Sequence, residues 1–481
     1  MKFVFTICLL VFTLQVYPHT VLIGSGSGSV VRQDMNGLNP GDTLAIRAGR
    51  YEKGGLFFNL RGITIVNHDG IVEFGSTVSI GNLKKVSISG SGVTGIFYGF
   101  LFRNFHGDAF MLQASCSFLS LAYCEYRNLD GTAFNASQFF TTYSGDTATF
   151  ALYKTTFSYQ KLVNSGLFFM GSWASPKSFQ NVSDSTAFLH FIIDSTASEG
   201  CQVIGQSIYR MLASDWRITG SFSNAKHDVG IFQTAGNGTV CNLYRKGGWG
   251  YIWRIWNLGL NGRAESYLYN CIDLSTMNYG TIDTRMEVGD TTNGKTVPFL
   301  RGGSMHVLNN TVGNKQTLGY VSQLVIAGSF CSACGYHLEV RNNLCFNTVA
   351  TGFDQIVKQN TSDPLLDTSN NLYSVDPIAQ GILLDTIQCN LNPAGPAIDN
   401  GLNFSFINTD IDGVHRPIGK SADIGAREYA GAQTLPDKHE GAFSKNWLLG
   451  GLGFLLMAAL VLIYRIRDGR KDKNMRFYMN G

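Results

Sequence analysis

A near-repeat constrains the fold of this chain more than any other feature. Residues 102–110 read FRNFHGDAF and residues 126–134 read YRNLDGTAF, so five of the nine positions are identical. The offset between the two copies gives a period of ~24 residues, which is typical of solenoids, in which each repeat buries its apolar face against its neighbours. The repeat therefore predicts a body built from stacked units.

The type of solenoid follows from the segments between turn residues. Residues 63–74, 86–93 and 338–347 are short aliphatic runs, each ended by Gly, Asn or Asp and too short for helices. Asn tolerates a left-handed backbone at such ends and can bond a stacked Asn in the next repeat. The Asn residues concerned are Asn104, Asn128, Asn270, Asn309, Asn310, Asn342 and Asn343. Three short strands per repeat describe a parallel β-helix whose rungs, the single turns of the solenoid, lie ~4.8 Å apart.

Composition agrees with β-structure. Gly is abundant (55 of 481 residues), Phe and Tyr are frequent (33 and 20), and charged residues make up only 15%, against ~25% in typical domains. The net charge of +3 is no larger than the excess of Lys and Arg over Asp after residue 464, so the rest of the chain is nearly neutral. We therefore expect no nucleic-acid partner.

Both ends of the chain are hydrophobic. Positions 1–16 contain one Lys followed by an apolar run of signal-peptide length, which predicts a signal peptide over residues 1–19. Residues 447–464 carry no charge and are bracketed by Trp447 and Tyr464, which predicts one transmembrane helix; a buried core helix is the alternative. By the positive-inside rule, the basic tail 465–481 is cytoplasmic and the body is exported.

Two stretches carry a resemblance to known families. Residues 41–66, which include GDT at 41–43 and RAGRY at 47–51, resemble the opening of right-handed parallel β-helix proteins of the pectate-lyase-like superfamily. Residues 393–429, which include TDIDG at 409–413 and DIGA at 423–426, resemble the choice-of-anchor Q module of bacterial surface proteins.

The resemblance implies an all-β architecture and a location at the cell surface. We expect a right-handed β-helix over residues 20–392, a terminal module over 393–430 and a linker over 431–446, with polysaccharide at the bacterial cell envelope as the partner. It implies no reaction, because this scaffold hosts lyases, hydrolases and adhesins alike.

Residues 224–263 form the window richest in candidate functional side chains. Lys226 and His227 lie together, and a rung of about 24 residues would place them near residue 250. A lyase needs a strong base for the proton beside a uronate carboxylate, and Ca²⁺ or Arg to neutralise that carboxylate. Lys226, His227 and Arg254 are the catalytic candidates for such a reaction.

The same window contains candidate carbohydrate-binding residues. If residues 249–256 form a strand, one face carries three aromatic side chains and the other carries Arg254 with a fourth aromatic residue. Aromatic faces beside cations suit sugar rings that carry carboxylates. Aromatic rows inside a β-helix also serve as core, so core packing is the alternative for one face. The candidates are Trp249, Tyr251, Trp253, Trp256 and Arg245.

Two functions from different classes remain. The first is a membrane-tethered protein that recognises polysaccharide, and the second is a β-helix lyase acting on uronate-containing glycans. Because no complete catalytic constellation is visible, we favour binding, with no cofactor and no metal site; Ca²⁺ is a candidate cofactor only for a lyase. For Asp410 and Asp412 we expect a turn satisfied by backbone donors rather than a Ca²⁺ site. For His106 and Asp130 we expect a corner role rather than catalysis.

Overall fold

The computed structural model describes most of the body of the chain and little of its ends. The described residues are 18–30, 37–135, 152–163, 165–170, 189–194, 197–199, 204–205, 210–214, 217–219, 231–233, 237–246, 252–256, 264–274, 282–286, 303–313, 325–329, 336–346, 357–359 and 366–431. The predicted signal peptide lies outside them except for residues 18 and 19, and the predicted transmembrane helix and tail lie wholly outside. No helix of the described part is long and apolar enough to cross a membrane. Residues 1–429 form one compact unit, and of the second unit, 430–481, only residues 430 and 431 are described.

The described residues form strands and no helix. In the N-terminal half the strands are β1 (Thr20–Ile23), β2 (Thr43–Tyr51), β3 (Gly55–Phe58), β4 (Thr64–Phe74), β5 (Val78–Gly81), β6 (Ser87–Ser89), β7 (Phe100–Arg103), β8 (Phe110–Leu112), β9 (Cys116–Ser117), β10 (Ser120–Arg127), β11 (Thr132–Asn135), β12 (Leu152–Val163), β13 (Gly166–Met170), β14 (Leu189–Asp194), β15 (Ala197–Glu199) and β16 (Ile204–Gly205). In the C-terminal half they are β17 (Arg210–Ser214), β18 (Arg217–Thr219), β19 (Ile231–Gln233), β20 (Asn237–Cys241), β21 (Tyr244–Lys246), β22 (Trp253–Trp256), β23 (Ala264–Tyr269), β24 (Ile272–Leu274), β25 (Ile282–Met286), β26 (Gly303–Leu308), β27 (Thr311–Gly313), β28 (Val325–Ser329), β29 (Tyr336–Arg341), β30 (Leu344–Phe346), β31 (Val357–Gln359), β32 (Leu366–Asp367) and β33 (Leu372–Ser374).

Every pairing between these strands is parallel, as a parallel β-helix requires. Most rungs contribute one strand, or one part of a long strand, to each of three columns, and β9 pairs separately with the start of β12. The first column runs through β1, β2, β4, β6, β10, β12, β14, β17, β20, β23, β26, β29 and β32. The second column runs beside it through β7, β15, β18, β21, β24, β27, β30 and β33 and the ends of the longer strands. The third column consists of β3, β5, β8, β11, β13 and β16 and, farther along the chain, β19, β22, β25, β28 and β31.

The near-repeat stacks residue upon residue, which confirms the prediction made from it. Phe102 pairs with Tyr126 and Phe110 pairs with Phe134 in neighbouring rungs. The rung length departs from ~24 residues elsewhere in the stack. One rung runs only from Ile192 to Leu212, whereas another, nearly twice as long, runs from Tyr267 to His306. Insertions between strands are tolerated because only the strands must stay in register.

Asparagines occupy the corners in the left-handed conformation, as predicted. The backbone φ angle is +55° at Asn104 and +53° at Asn128, and the amide of Asn128 donates to the side-chain oxygen of Asn104 at 3.0 Å. At a nearby corner, Nδ1 of His106 lies 2.5 Å from Asp130, which also accepts the amide of Gly107. The expected corner role of His106 and Asp130 is therefore confirmed. A further asparagine ladder, Asn310, Asn343 and Asn371, lies inside the stack and satisfies backbone groups there.

Inward-facing side chains of the second column form the centre of the core. In the N-terminal rungs this row is aromatic: Phe74 stacks on Phe102 with ring centroids 4.9 Å apart, and Phe102 stacks on Tyr126 at 5.4 Å. All three rings are fully buried or nearly so. Aromatic pairs in this geometry add about 0.5–1.5 kcal/mol each beyond the burial of their area.

The chain leaves the stack after β33 and returns along its side. We call residues 375–429 the C-terminal segment. Its apolar residues Ala397, Ile424 and Ala426 share one buried cluster with Ile272 and Leu344, which belong to the second column. The segment therefore covers the outer side of the second column over the C-terminal rungs.

Polar groups of the stack also hold the C-terminal segment. The side-chain amides of four corner asparagines donate to backbone carbonyls of the segment: Asn270 to Thr409, Asn309 to Asp423, Asn342 to Leu402 and Asn370 to Asn400. In addition, the oxygen of the Asn342 side chain accepts the backbone N–H of Leu402 at 2.9 Å. The corner asparagines thus bond one another between rungs and also bond the C-terminal segment to the stack.

Candidate functional site

Several candidate residues from the 224–263 window lie outside the described residues. These are Lys226, His227, Trp249 and Tyr251. For Arg254 and Trp256 the structure gives the backbone of β22, in which Arg254 pairs with Phe232 and Asp283. Ile231 lies over Trp253. The roles expected for these side chains remain predictions.

Arg245 and Trp253 are buried, which corrects their expected place on a binding surface. Trp253 has no exposed side-chain area, so core packing is the correct interpretation for its face of the strand. Arg245 is equally buried and forms two parallel hydrogen bonds with Asp273, from Nε at 3.0 Å and from Nη2 at 2.9 Å. It pairs in register with Asp273 on the inward row of the second column. A charge in the core needs a partner of this kind, and neither side chain reaches a ligand in solvent.

The outward side of the first column presents a different group of polar and aromatic side chains. In β23, β26 and β29 every second residue points outward, because side chains alternate along a strand. One outward row runs through Tyr267, His306 and Glu339, which are in register in successive rungs. We call this row and its outward neighbours the Tyr267 face: Glu265, Tyr267, His306, His337, Glu339, Arg341 and Asp367.

Stacking and hydrogen bonds fix the rings of this face. The rings of Tyr267 and His306 are stacked with centroids 4.6 Å apart and planes 10° from parallel. Nδ1 of His306 lies 2.6 Å from the carboxylate of Glu339. Because an ionised carboxylate only accepts, this contact places a proton on Nδ1 and leaves Nε2 as the basic atom of a neutral imidazole.

Charge on the Tyr267 face is predominantly negative. Arg341 Nε lies 3.3 Å from Glu339, and Arg341 also pairs with Asp367. The Arg341 guanidinium lowers the pKa of Asp367, and Asp367 in turn raises the pKa of Arg341. With Glu265 included, three carboxylates face one guanidinium, so the face carries an excess of negative charge when its histidines are neutral.

The phenol of Tyr267 stays protonated. Burial raises the pKa of Tyr267 to about 12, and its hydrogen bond to Glu265 adds to the shift. The hydroxyl donates to Glu265 at 2.8 Å. Tyr267 therefore offers a ring edge and a neutral hydroxyl whose proton already has an acceptor.

Aromatic side chains of the C-terminal segment border the face. Phe406 meets Tyr267 edge to face with ring centroids 5.2 Å apart and lies 6.1 Å from Tyr269. Phe404 lies 6.0 Å from Phe406. Phe406 is 46% exposed although it is large and apolar. The segment thus places an exposed ring beside fixed polar groups, an arrangement that matches a sugar, which has an apolar ring face and hydroxyls at its rim.

Asp410 has the structural role expected for it, whereas the carboxylate of Asp412 has an arginine partner instead of backbone donors. The carboxylate of Asp410 accepts backbone N–H bonds from Asp412, Val414 and Glu428 at 2.7 to 2.9 Å, and Asp412 pairs with Arg427. Among the described residues, no group of three or more His, Cys, Asp or Glu side chains is arranged to hold a metal ion.

Sequence reasoning missed the Tyr267 face. His306 lies in GSMHVL and Glu339 lies in YHLEVR, two alternating stretches that pair in neighbouring rungs. Their alternation identifies each as outward-facing in a strand. Their contact depends on a rung length that the sequence does not disclose.

Comparisons with known proteins give a limited result. No protein-family model matches the chain, and no curated protein matches its sequence. Among solved structures, the pectate lyase Pel9A is 13% identical, with 82% of this chain and 90% of that chain covered and a TM-score of 0.37. The PL6 family polysaccharide lyase Pedsa3628 from Pseudopedobacter saltans is 12% identical, with 74% and 88% covered and a TM-score of 0.34. The assignment to a parallel β-helix rests on the strand pairing of this chain itself.

Proposed function

We propose that this protein is exported, is tethered to a membrane by residues 447–464, and binds polysaccharide on the outer surface of its β-helix. The observation that carries the binding proposal is the exposed ring of Phe406 beside the stacked rings of Tyr267 and His306. Export and tethering rest on the two hydrophobic ends of the chain and its basic tail. The resemblance of residues 393–429 to choice-of-anchor Q modules favours a bacterial cell surface.

Rigidity supports a binding role. Tyr267, His306 and Glu339 project from strands that pair on both sides, and the hydrogen bonds from Tyr267 to Glu265 and between His306 and Glu339 orient their side chains. A ligand that binds such a surface does not have to order it first, so more of the contact energy appears as affinity.

The charge of the face selects among polysaccharides. Three carboxylates against one guanidinium disfavour a polymer of uronates, because like charges repel at short range. A neutral polysaccharide can instead donate hydroxyl hydrogens to these carboxylates. We therefore propose a neutral polysaccharide, which differs from the uronate polymers expected from the 224–263 window.

Binding of the full-length protein in detergent to neutral and uronate polysaccharides tests this proposal. We expect retention by a neutral polymer and about a tenfold loss of affinity in Phe406→Ala, which removes an exposed aromatic contact. Ile418→Ala is the matched control, because Ile418 is 50% exposed and lies in the same segment. Failure of every neutral polymer to bind, or equal losses in both variants, would contradict the proposal.

A β-helix lyase is the second candidate. The contact between His306 and Glu339 favours it, whereas the negative charge of the face disfavours a uronate substrate unless Arg341 or added Ca²⁺ neutralises the uronate carboxylate. Nε2 of His306 could take the proton beside a uronate carboxylate while the hydroxyl of Tyr267 protonates the leaving oxygen; the carbon–oxygen bond breaks and a carbon–carbon double bond forms. Ultraviolet absorbance of the unsaturated product, followed with uronate polymers in the presence and absence of Ca²⁺, tests this candidate. Activity that disappears in His306→Gln would establish it, and no product from any uronate polymer would exclude it.

A further inference from the structure

A second aromatic cluster lies on the outside of the N-terminal rungs. The rings of Tyr123 and Tyr159 are stacked with centroids 4.6 Å apart and planes 7° from parallel. Phe97 meets the ring of Tyr123 edge to face at 5.3 Å, and Tyr98 packs against Phe97 at 4.7 Å. All four side chains are partly exposed. We call them the Tyr123 cluster.

The loop that delivers Phe97 and Tyr98 is held in place by the backbone. The N–H of Gly99 donates to the carbonyl of Gly90 at 2.9 Å and closes the loop, and the N–H of Gly92 donates to the side chain of Asn67 at 2.7 Å. A Cβ at Gly90 would lie 2.1 Å from the carbonyl oxygen of Tyr123, and one at Gly99 would lie 2.3 Å from that of Gly90. Only glycine fits these two positions. The fold thus holds an aromatic loop against the stacked tyrosines.

The backbone at the two tyrosines is left-handed. The φ angle is +56° at Tyr123 and +51° at Tyr159, at the corner between the first and second columns. In the C-terminal rungs the same corner carries Asn242, Asn270, Asn309, Asn342 and Asn370, whose φ angles are also positive. Asn adopts this conformation at lower cost than a bulky aromatic residue. Two successive tyrosines at such a corner favour a use for the rings themselves.

Charged side chains surround the Tyr123 cluster. Glu125 accepts from Arg127 Nε at 3.0 Å, and the ammonium of Lys161 lies 3.6 Å from the other oxygen of Glu125. The same ammonium lies 5.7 Å from the ring centre of Tyr98. Burial raises the pKa of Tyr98 to about 12, so its hydroxyl stays protonated. Rings bordered by donors and an acceptor match the apolar face and hydroxyl rim of a sugar.

We propose that the Tyr123 cluster is a second sugar-binding site, which contacts the same neutral polysaccharide chain as the Tyr267 face. This inference rests on the proposed function. The register of the first column runs from Thr156 through Ile192, Leu212 and Thr239 to Tyr267, which is four rungs. At ~4.8 Å per rung the two sites lie roughly 19 Å apart along the stack. A polymer can span this distance and bind both sites at once, whereas a short oligosaccharide cannot.

The double variant Tyr123→Asn/Tyr159→Asn in the full-length protein tests the second site. Asn is the residue that this corner carries elsewhere, so the backbone conformation is retained while both rings are removed. We expect the thermal midpoint to stay within about 4 °C of the parent. We expect affinity for the polymer to fall about tenfold or more, because one of two linked contacts is lost, while affinity for a short oligosaccharide at the Tyr267 face is unchanged. Tyr123→Phe/Tyr159→Phe, which keeps both rings, is the control and should bind polymer like the parent.

Hydroxyl-radical footprinting of the parent protein provides a measurement that needs no variant. Bound neutral polymer should protect Tyr123 and Tyr159 as well as Tyr267 and Phe406. If Phe406→Ala weakens polymer binding but the double Asn variant does not, or if polymer leaves Tyr123 and Tyr159 unprotected, the second site is wrong and the proposed function stands. If no polysaccharide binds the parent at all, the proposed function itself has failed.

Discussion

The N-terminal rungs (residues 43–163) and the C-terminal rungs (residues 237–374) place different side chains on the same outward row of the second column. In the N-terminal rungs this row is mostly charged: it runs through Arg50, Glu73, Leu101, Glu125 and Lys161, and Glu73 pairs with Arg50 at 2.7 Å. In the C-terminal rungs the row consists of Tyr244, Ile272, Thr311, Leu344 and Leu372. Among the residues that the structure describes, the C-terminal segment packs against the second set. Whether an outward row borders solvent or the C-terminal segment therefore decides which side chains the row carries, more than its strand conformation does.

The corner between the first and second columns also differs between the two regions. Tyrosines occupy it where it borders solvent, and asparagines occupy it where the C-terminal segment supplies carbonyl acceptors. Both residues meet the requirement for a left-handed backbone. Asn does so while donating sideways to a neighbouring chain, which Tyr cannot do with the same geometry. The proposed sugar contacts and the attachment of the segment are thus two uses of one structural position.

The inward row of the second column differs as well. Removing one buried charge from this row should give the largest loss of stability among the changes considered. Stacked aromatic rings fill the row in the N-terminal rungs, whereas in the C-terminal rungs it contains Arg245 and Asp273, followed by Val312 and Cys345. Asp273→Ala leaves Arg245 buried without its bidentate partner, and we expect a loss of about 4 kcal/mol in local stability. Hydrogen exchange of β21 and β24, followed by mass spectrometry, measures it. The double variant Arg245→Met/Asp273→Leu should stay near the parent because no charge remains buried, and a loss as large as in Asp273→Ala would contradict this account.

Replacing a corner asparagine of the C-terminal rungs by tyrosine should give the next largest loss of stability. Asn342→Tyr removes the two hydrogen bonds to Leu402 and adds a bulky ring beside Gly401, on which a Cβ would lie only 3.0 Å from the Asn342 amide. We expect about 3 kcal/mol of lost stability, because buried backbone groups lose their partners. Limited proteolysis within residues 400–425 reports detachment of the C-terminal segment. Tyr159→Asn, the converse change, should leave the cleavage pattern as in the parent; equal cleavage in both variants would show that the corner does not distinguish the two regions.

The sequence predicts the stack better than it predicts the surfaces. The repeat at 102–134 and the corner asparagines identify a parallel β-helix because they report a local backbone requirement that recurs each rung. The contact between His306 and Glu339 escapes prediction because the inserted residues between strands vary, so the residue above a given position is unknown. The sequence predicts a surface position for Arg245 for a related reason: its burial depends on Asp273, 28 residues away, and a lone Arg in a sequence is normally exposed.

The smallest expected effect is an opposite response of the two regions to acid. Burial raises the pKa of Asp410, Asp423 and Glu428 in the C-terminal segment. Backbone hydrogen bonds from Asn39 and His19 lower the pKa of Asp42 at the other end of the stack. A carboxyl whose pKa is raised by folding favours the folded state most at low pH and loses that contribution as pH rises through its folded pKa. A carboxyl whose pKa is lowered contributes above its unfolded value, 3.8 for Asp, and loses the contribution as pH falls below it.

The C-terminal segment should therefore become more stable as pH falls from neutral toward the ordinary pKa values of its carboxyls, 3.8 for Asp and 4.5 for Glu, whereas the turn at residues 39–43 loses stability as pH falls below 3.8. Hydrogen exchange, corrected for the intrinsic pH dependence of amide exchange, compares peptides from 408–430 with peptides from 37–47. Residues 78–90 contain no Asp or Glu and serve as the internal control. If both regions instead lose protection as pH falls from neutral, ion pairs outweigh burial in keeping the carboxyls of the C-terminal segment ionised. Arg416 and Glu428, 3.2 Å apart, form such a pair. A gain of protection confined to residues 408–430 would show that burial of the carboxyls in the C-terminal segment controls the pH response of this region. The same segment then accounts for the corner asparagines, the outward row and the pH response of the C-terminal rungs.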